Sequence, residues 1–579
     1  MDVSIDVIRN TIEELCKFEN RIAGTKSERE AADYLKGILS GIGFDVTEHE
    51  FPVVAWTPLE ATINLVSPEE KPIDCALFPN SPDVEHRVFL VGLGSELEDD
   101  SIKLPVYGIA EWGESLYTSP NTPYNKAVDK GLDGLIISSP DEGDLLKVRI
   151  GIQGKQLQIP IFSVSKETGE LLRKKMDRSE VILDIKSTSK RGPSNSYNLE
   201  AVLEGSEPDY DIVVSAHYDA WFSGASDNAA PAAIVIEVAR HMWNHVQQGG
   251  VLRRTVRFLL YGAEECGSER VTFWLNGSRN YVESQENLKQ FALVVNLDSI
   301  GYDATNFVGT TYELLDFAQS VTTALKQGKR FGHYCPPADG SDHWFFTIGG
   351  VPTIYLISWP SHLYHTQKDI PEFLDYESIQ AYTDYILHTL IEFCNAKLLP
   401  LNILTSMEYA RERFNGFSKI EENPFEFQEA SDLLKRILKH KEPLEKFTLD
   451  IQESGTKDDI AKLNDFLLTT AGKLNRTIRK VGDGHEANYL SSFEFIQEYV
   501  KIDSVIRTLE ELQFMKVHPR ILASTRDDND NPNKLVDIAS LIFEMRKECD
   551  NFTRQINEEI EAITNDMKET LTELNDLLT

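Results

Sequence analysis

Apolar positions recur at helical spacing at the start of the chain: Val7, Ile8, Ile12, Leu15 and Cys16, then Ala31, Ala32, Leu35, Ile38 and Leu39. Gly41 and Gly43 close the second run, and FDVTEHEF behind it alternates like a strand. From about residue 56 to 190 proline and glycine become frequent and the apolar runs shorten to RVFLVGLG, LPVYGIAEW, DGLIIS and IPIFSV, which predicts a β-rich domain with one or two helices. From about 195 to 395 the runs DIVVSA, TVRFLLYG, FALVVNL and VPTIYLI alternate with helix-like stretches such as PAAIVIEVARHMW, where Pro231 suits a first turn. Strands apolar on both faces, separated by helices, predict an α/β fold: a mainly parallel sheet with flanking helices. Beyond residue 400 strand signals vanish. Between Asn533 and Thr579 the positions Leu535, Ile538, Ile542, Met545, Cys549, Phe552, Ile556, Ile560, Ile563, Met567, Leu571 and Leu574 step by threes and fours, the seam of a long helix in an intrachain bundle or, alternatively, in a homodimer.

Composition narrows this picture. A chain of 579 residues needs three or four cores. The pattern divides it into 1–55 with 191–398, an insert over 56–190, and an all-helical domain over 399–579. The net charge of −35 speaks against nucleic acid, whose phosphates are met by lysine and arginine. The six cysteines are scattered without a C-x-x-C pair, which disfavours a disulfide framework or a thiolate metal site. Neither a basic leader with an apolar core nor an apolar run of ~18 residues is visible, so no membrane span and a cytoplasmic location are expected.

The candidate chemistry sits at the ends of apolar strands. His217 closes DIVVSA, with Asp219 two residues on, placed to hold the second imidazole nitrogen. Asp227 follows in GASDN, in a turn before a helix. TVRFLLYG leads into Ala263-Glu264-Glu265, FALVVNL into Asp298, and VPTIYLIS is followed by His365 in YHTQKD. Adjacent carboxylates at the end of an apolar strand are costly unless cations or donors satisfy them. Two histidines and three ligand-type carboxylates suit zinc with open coordination. Two cations sharing a carboxylate bring the pKa of water from 15.7 toward ~7, and the one glutamate left over is placed to move a proton.

These residues resemble those of the M28 zinc peptidases, which include aminopeptidases and the glutamate carboxypeptidase II and transferrin-receptor group. The matching pieces are HYDAWFSGASDNAA, LLYGAEECGSERVTFW, VVNLDSIG, SDHWFF, YHTQKD and the N-terminal RIAGTKSEREAADYL. The insert, with YNKAVDKGLDGLIIS and IPIFSVSKETGELL, is similar to a protease-associated domain, and the tail is loosely similar to the helical domain of the carboxypeptidase group. The resemblance implies two zinc ions per chain. His217 and Asp298 would hold one, Glu265 and His365 the other, and Asp227 would bridge them. It implies Glu264 as general acid/base, Asp219 as the residue orienting His217, Tyr364 as a hydrogen-bond donor to the tetrahedral intermediate, and a cis peptide between Asp227 and Asn228. The expected function is removal of residues near a peptide chain end, first as an aminopeptidase. The alternatives are a carboxypeptidase of the glutamate carboxypeptidase II type, a one-zinc glutaminyl-cyclase-like enzyme, or a silent receptor-like binding protein. Receptor-like relatives lose ligands, and this chain has none missing.

Other signals read as structural. His241 and His245 are four apart, but Met242 stands where a zinc-helix motif needs glutamate. Cys266 reads as packing, Asp342 and His343 as residues behind the ligands, and His362 as a residue facing substrate or solvent.

Overall fold

The computed structural model describes residues 3–578 except 19, 95–103, 113–120, 149–153, 208, 271–272, 326–329, 418–427, 476–546, 548–553, 555–556 and 559. The chain separates into two compact units, one of residues 1–310, 316–346 and 353–396, the other of 311–315, 347–352 and 397–579.

The first unit opens with the two predicted helices, Ile5–Leu15 and Lys26–Ile42. Ser4 and Thr25 cap them by accepting from the amides of Val7 and Glu28, which would otherwise lack partners in the first turn. Gly41 lies inside the second helix, which ends at Gly43. Gly43 takes φ +126°, and a Cβ there would meet the Trp243 ring at 2.4 Å, so both conformation and space demand glycine.

One fourteen-stranded sheet runs through this unit. At its centre Thr353–Trp359, Phe291–Leu297, Asp211–His217 and Thr255–Tyr261 lie side by side, each parallel to the next. Their residues are almost all buried, as continuous apolar runs require when helices cover both faces. Each fully buried valine, leucine or isoleucine contributes about 1.5–3 kcal/mol. The margins are antiparallel: Thr305–Thr310 runs against Thr353–Trp359, and Ile182–Leu203 against Thr255–Tyr261. Because the central strands are parallel, their carboxyl ends share one edge. The register pairs Tyr261 with His217 and Asn296 with Ser215, so Asp298, two residues beyond Asn296, arrives level with His217.

The insert is joined to this sheet by two 22-residue strands, Val46–Ser67 and Ile182–Leu203, paired antiparallel from Val46–Ala201 to Ser67–Ile182. Inside it Val84–Gly92, Val106–Glu111, Gly134–Ser138 and Ile161–Val164 are parallel, with Ala76–Leu77 antiparallel on the far edge. Two helices, Asn121–Asp129 and Lys166–Met176, accompany them.

The second unit holds the helices Ile403–Phe417, Gln428–Leu438, Lys441–Ser454, Lys457–Leu474 and a helix over 560–578, with no strand among its described residues. Five of the predicted seam positions, Ile560, Ile563, Met567, Leu571 and Leu574, are buried within it. Lys473 pairs with Glu569 and Glu573 alongside that seam. The earlier seam positions, Leu535 to Ile556, lie outside the described residues. Among the described residues no helix is long and apolar enough to cross a membrane.

Candidate metal centre

All five ligand candidates converge at the carboxyl edge of the central strands, and all are buried. His217 is the last residue of its strand, with Nε2 3.3 Å from Asp227 Oδ1 and 3.6 Å from Asp298 Oδ1. His365 Nε2 lies 3.0 Å from both Asp227 Oδ2 and Glu265 Oε1. Two groups of ligand atoms result, His217–Asp227–Asp298 and Asp227–Glu265–His365, each with its atoms within 4.8 Å of one another. Asp227 belongs to both, one oxygen facing each histidine. Glu264 belongs to neither; its Oε2 stands 3.9 Å from His217 Nε2. The Asp227–Asn228 peptide is cis. Ala263, Ser299 and His365, at or beside the ligands, take φ values of 52°, 52° and 56°, a left-handed conformation that costs a non-glycine residue about 1–3 kcal/mol and gathers at functional sites.

The supporting groups show why the ligand candidates face one another. His217 Nδ1 lies 3.1 Å from the Asp219 carbonyl and 3.3 Å from its carboxylate, so Nε2 is turned to the cluster. The Asp219 carboxylate also accepts the amides of Glu264 and Glu265, both at 3.0 Å, which ties two strand ends together. Trp221 Nε1 donates to Glu265 Oε2 at 3.0 Å and leaves Oε1 for the site. Asp369 accepts the amides of Ser226 and Asp227 at 2.9 and 3.1 Å. Deeper, the fully buried Arg21 donates to the carbonyls of Leu15, Tyr218, Ser223 and Gly224, clamping the loop between His217 and Asp227. Glu28 accepts from Gly24, Ser196 and the amide of Ala263, just ahead of the glutamate pair. Sequence reasoning gave no role to Trp221, Asp369, Arg21 or Glu28, although the last two are charged residues inside the N-terminal stretch RIAGTKSERE. Tyr364 stacks on the His365 ring with centroids 3.8 Å apart. His343 is buried against Tyr355, its Nε2 2.6 Å from the Ala338 carbonyl, and burial pushes its pKa down to about 3. Cys266 is buried, and His362 is exposed.

Residues 198–390 match the model of peptidase family M28. That stretch, a third of the chain, carries all five ligand candidates, and what it shows is a similarity to that family. A glutamate carboxypeptidase 2 homolog of Caenorhabditis elegans is 26% identical over 247 residues, which is 35% of this chain and 31% of that protein. An aminopeptidase of Pseudomonas aeruginosa is 27% identical over 320 residues, 51% of this chain and 56% of that one. The matches thus span less than two thirds of either relative. A zinc aminopeptidase of known structure from Bacillus subtilis superposes with a TM-score of 0.53 at 20% identity, covering 68% of this chain and 95% of its own, which establishes the fold.

In this site burial and charge oppose each other. Burial lowers the basicity of His217 and His365, but the surrounding carboxylates outweigh it. Glu264, Asp219, Asp227 and Asp298 raise His217 well above the usual imidazole value, and Glu265 and Asp227 raise His365 to about 9. Burial raises Glu265 to about 7 and Glu264 well above the carboxylate range. The cluster therefore holds protons at neutral pH unless cations take their place. Glu265 Oε1 and His365 Nε2 are buried 3.0 Å apart without the geometry of a hydrogen bond, and a cation between them would satisfy both. This set of imidazole and carboxylate donors fits zinc. Since cations bind the deprotonated ligands, zinc affinity should rise about tenfold per pH unit between pH 6 and 8, one proton leaving per ion. Competition with a chromophoric chelator at pH 6, 7 and 8 reads this directly. Affinity independent of pH would mean that the ligands carry no protons before the metal arrives.

Proposed function

We propose that this chain is a two-zinc aminopeptidase, releasing residues from the free N-termini of peptides. The observation that carries the reading is the pair of ligand groups sharing Asp227, with Glu264 left beside them and bound into neither. His217 and Asp298 would hold one zinc, Glu265 and His365 the other. Bound there, the pair supplies Lewis acidity and makes water acidic enough to act as a nucleophile near neutral pH. Glu264, whose burial keeps it a competent proton carrier, takes the proton of the attacking water and delivers it to the leaving amine. Tyr364 is kept a neutral phenol by burial and by the carboxylates of Asp227, Glu265, Asp298 and Glu264, so its hydroxyl remains a donor for the developing oxyanion. Asp219 orients His217 and aligns both glutamates through their amides.

The division into a peptidase domain (1–55 and 191–398), a protease-associated insert (56–190) and a helical domain (399–579), which offers a homodimer surface, belongs to the same proposal. The second reading is a carboxypeptidase on the same metals, favoured by the likeness to the C. elegans glutamate carboxypeptidase 2 homolog. Short peptides blocked at the N-terminus, at the C-terminus or at neither, followed by mass spectrometry with and without a zinc chelator, decide between them. Chelator-sensitive loss of single residues from free N-termini is the expected result. Loss from C-termini would move the chain to the carboxypeptidase reading. No cleavage by zinc-loaded protein would overturn the peptidase reading and favour a receptor-like protein.

A further inference from the structure

The two histidines of the site are held differently. His217 ends a central strand, and its Nδ1 faces Asp219. His365 lies six residues past the end of Thr353–Trp359, in a turn, with φ +56° and no hydrogen-bond partner at Nδ1 among the described residues. Its ring has the stacked Tyr364, but its backbone is fixed by the insert. Val148 N donates to the His365 carbonyl at 3.0 Å, and Lys147 forms an antiparallel bridge with Thr366. Gln367 extends this pairing with its side chain: Oε1 accepts from Leu146 N at 2.7 Å and Nε2 donates to Asp144 O at 2.8 Å. Residues two apart on one edge present an amide and a carbonyl in the same direction, and the carboxamide satisfies both as a strand would. Lys368 Nζ adds a bond to Gly143 O at 2.7 Å.

The insert segment is itself anchored. Glu167, in the first turn of the helix Lys166–Met176, accepts the amides of Gly143 and Asp144. Lys147 N donates to Ser163 Oγ on the strand Ile161–Val164, and Lys147 Nζ pairs with Asp141. A rigid piece of the insert thus holds a turn that has no strand or helix of its own. Metal affinity depends on how firmly the ligands are pre-oriented, and loss of an orienting partner typically costs 10–100-fold.

We propose that residues 143–148 of the insert, acting through Gln367, are a positioning element for His365, so that the insert sets the affinity of one cation position and leaves the other alone. This rests on the two-zinc reading above. The test counts zinc bound by the full-length protein in metal-buffered solutions, by native mass spectrometry, for wild type, Gln367→Ala and Asp298→Ala. Gln367→Ala should keep one binding step unchanged and weaken the other about tenfold. The weakened step should be the one that survives in Asp298→Ala, since Asp298 belongs to the His217 group. The unfolding midpoint of the metal-free protein should stay that of wild type. Should Gln367→Ala fail to fold, Gln367→Met keeps the side-chain volume and removes both hydrogen bonds, with the same readouts. Two unchanged steps, or two steps weakened equally, would overturn the positioning role while leaving the two-zinc reading intact. Wild-type protein with fewer than two steps would overturn that reading and the positioning role with it.

Discussion

Glu264→Gln should keep its zinc and lose activity by about 10²–10⁴-fold, the range that a positioned proton carrier contributes. The variant keeps the size and shape of the side chain and removes only the group that can accept a proton. Its metal content should stay at the wild-type level, because Glu264 lies outside both ligand groups. The backbone should not move, because the Glu264 amide is held by Asp219 and that bond does not involve the glutamate side chain. The buried neutral amide should be tolerated, since burial already drives Glu264 toward its uncharged form. The measurement is kcat for a short unblocked peptide together with zinc per chain. Loss of activity with loss of zinc would mean that Glu264 is a ligand. Wild-type kcat with full zinc would remove it from the chemistry.

The ligand candidates were legible because they break the logic of their own strands. Runs as apolar as TVRFLLYG and FALVVNL have no structural reason to end in carboxylates, and the parallel sheet that such runs predict brings those ends to one edge. The N-terminal helices and the central sheet were legible for the same reason, since continuous periodicity records which face is buried. Groups that act across long sequence distances were not legible. Arg21 and Glu28 look in sequence like ordinary polar positions near an amphipathic helix, yet their partners lie about 170 to 235 residues away in folded register. Gln367 pairs with the backbone of a segment 221 residues earlier, and no local pattern marks either side. The insert was readable as β-rich, but short apolar runs do not reveal the direction of pairing, and four of its strands are parallel. Asp219 was expected to orient His217; that it also ties the amides of Glu264 and Glu265 follows only from the sheet order that sets their strands side by side.

Asp227→Ala should empty both cation positions at once, the largest effect any single ligand can have here. Its two oxygens face different histidines, at 3.3 Å from His217 and 3.0 Å from His365, and no other residue belongs to both groups. Burial would raise its pKa, but the two histidines pull it below the usual carboxylate range, so it stays charged where two cations would meet. Asp298→Ala removes a ligand from one group only and should cost one zinc; Asp227→Ala should cost both, with activity falling to the background rate. The turn itself should survive, because Asp369 holds it through the amides of residues 226 and 227 and Arg21 through the carbonyl of Gly224, none of which involves the Asp227 side chain. Far-ultraviolet circular dichroism of the metal-free variant should therefore match that of metal-free wild type. Zinc per chain after dialysis against a weak chelator decides the matter. A variant that still carries one firmly held ion would show that the carboxylate is not shared, and the site would then be a single-zinc centre with Asp227 as an ordinary ligand. That outcome would leave Glu264 as the proton carrier of a site with one metal ion.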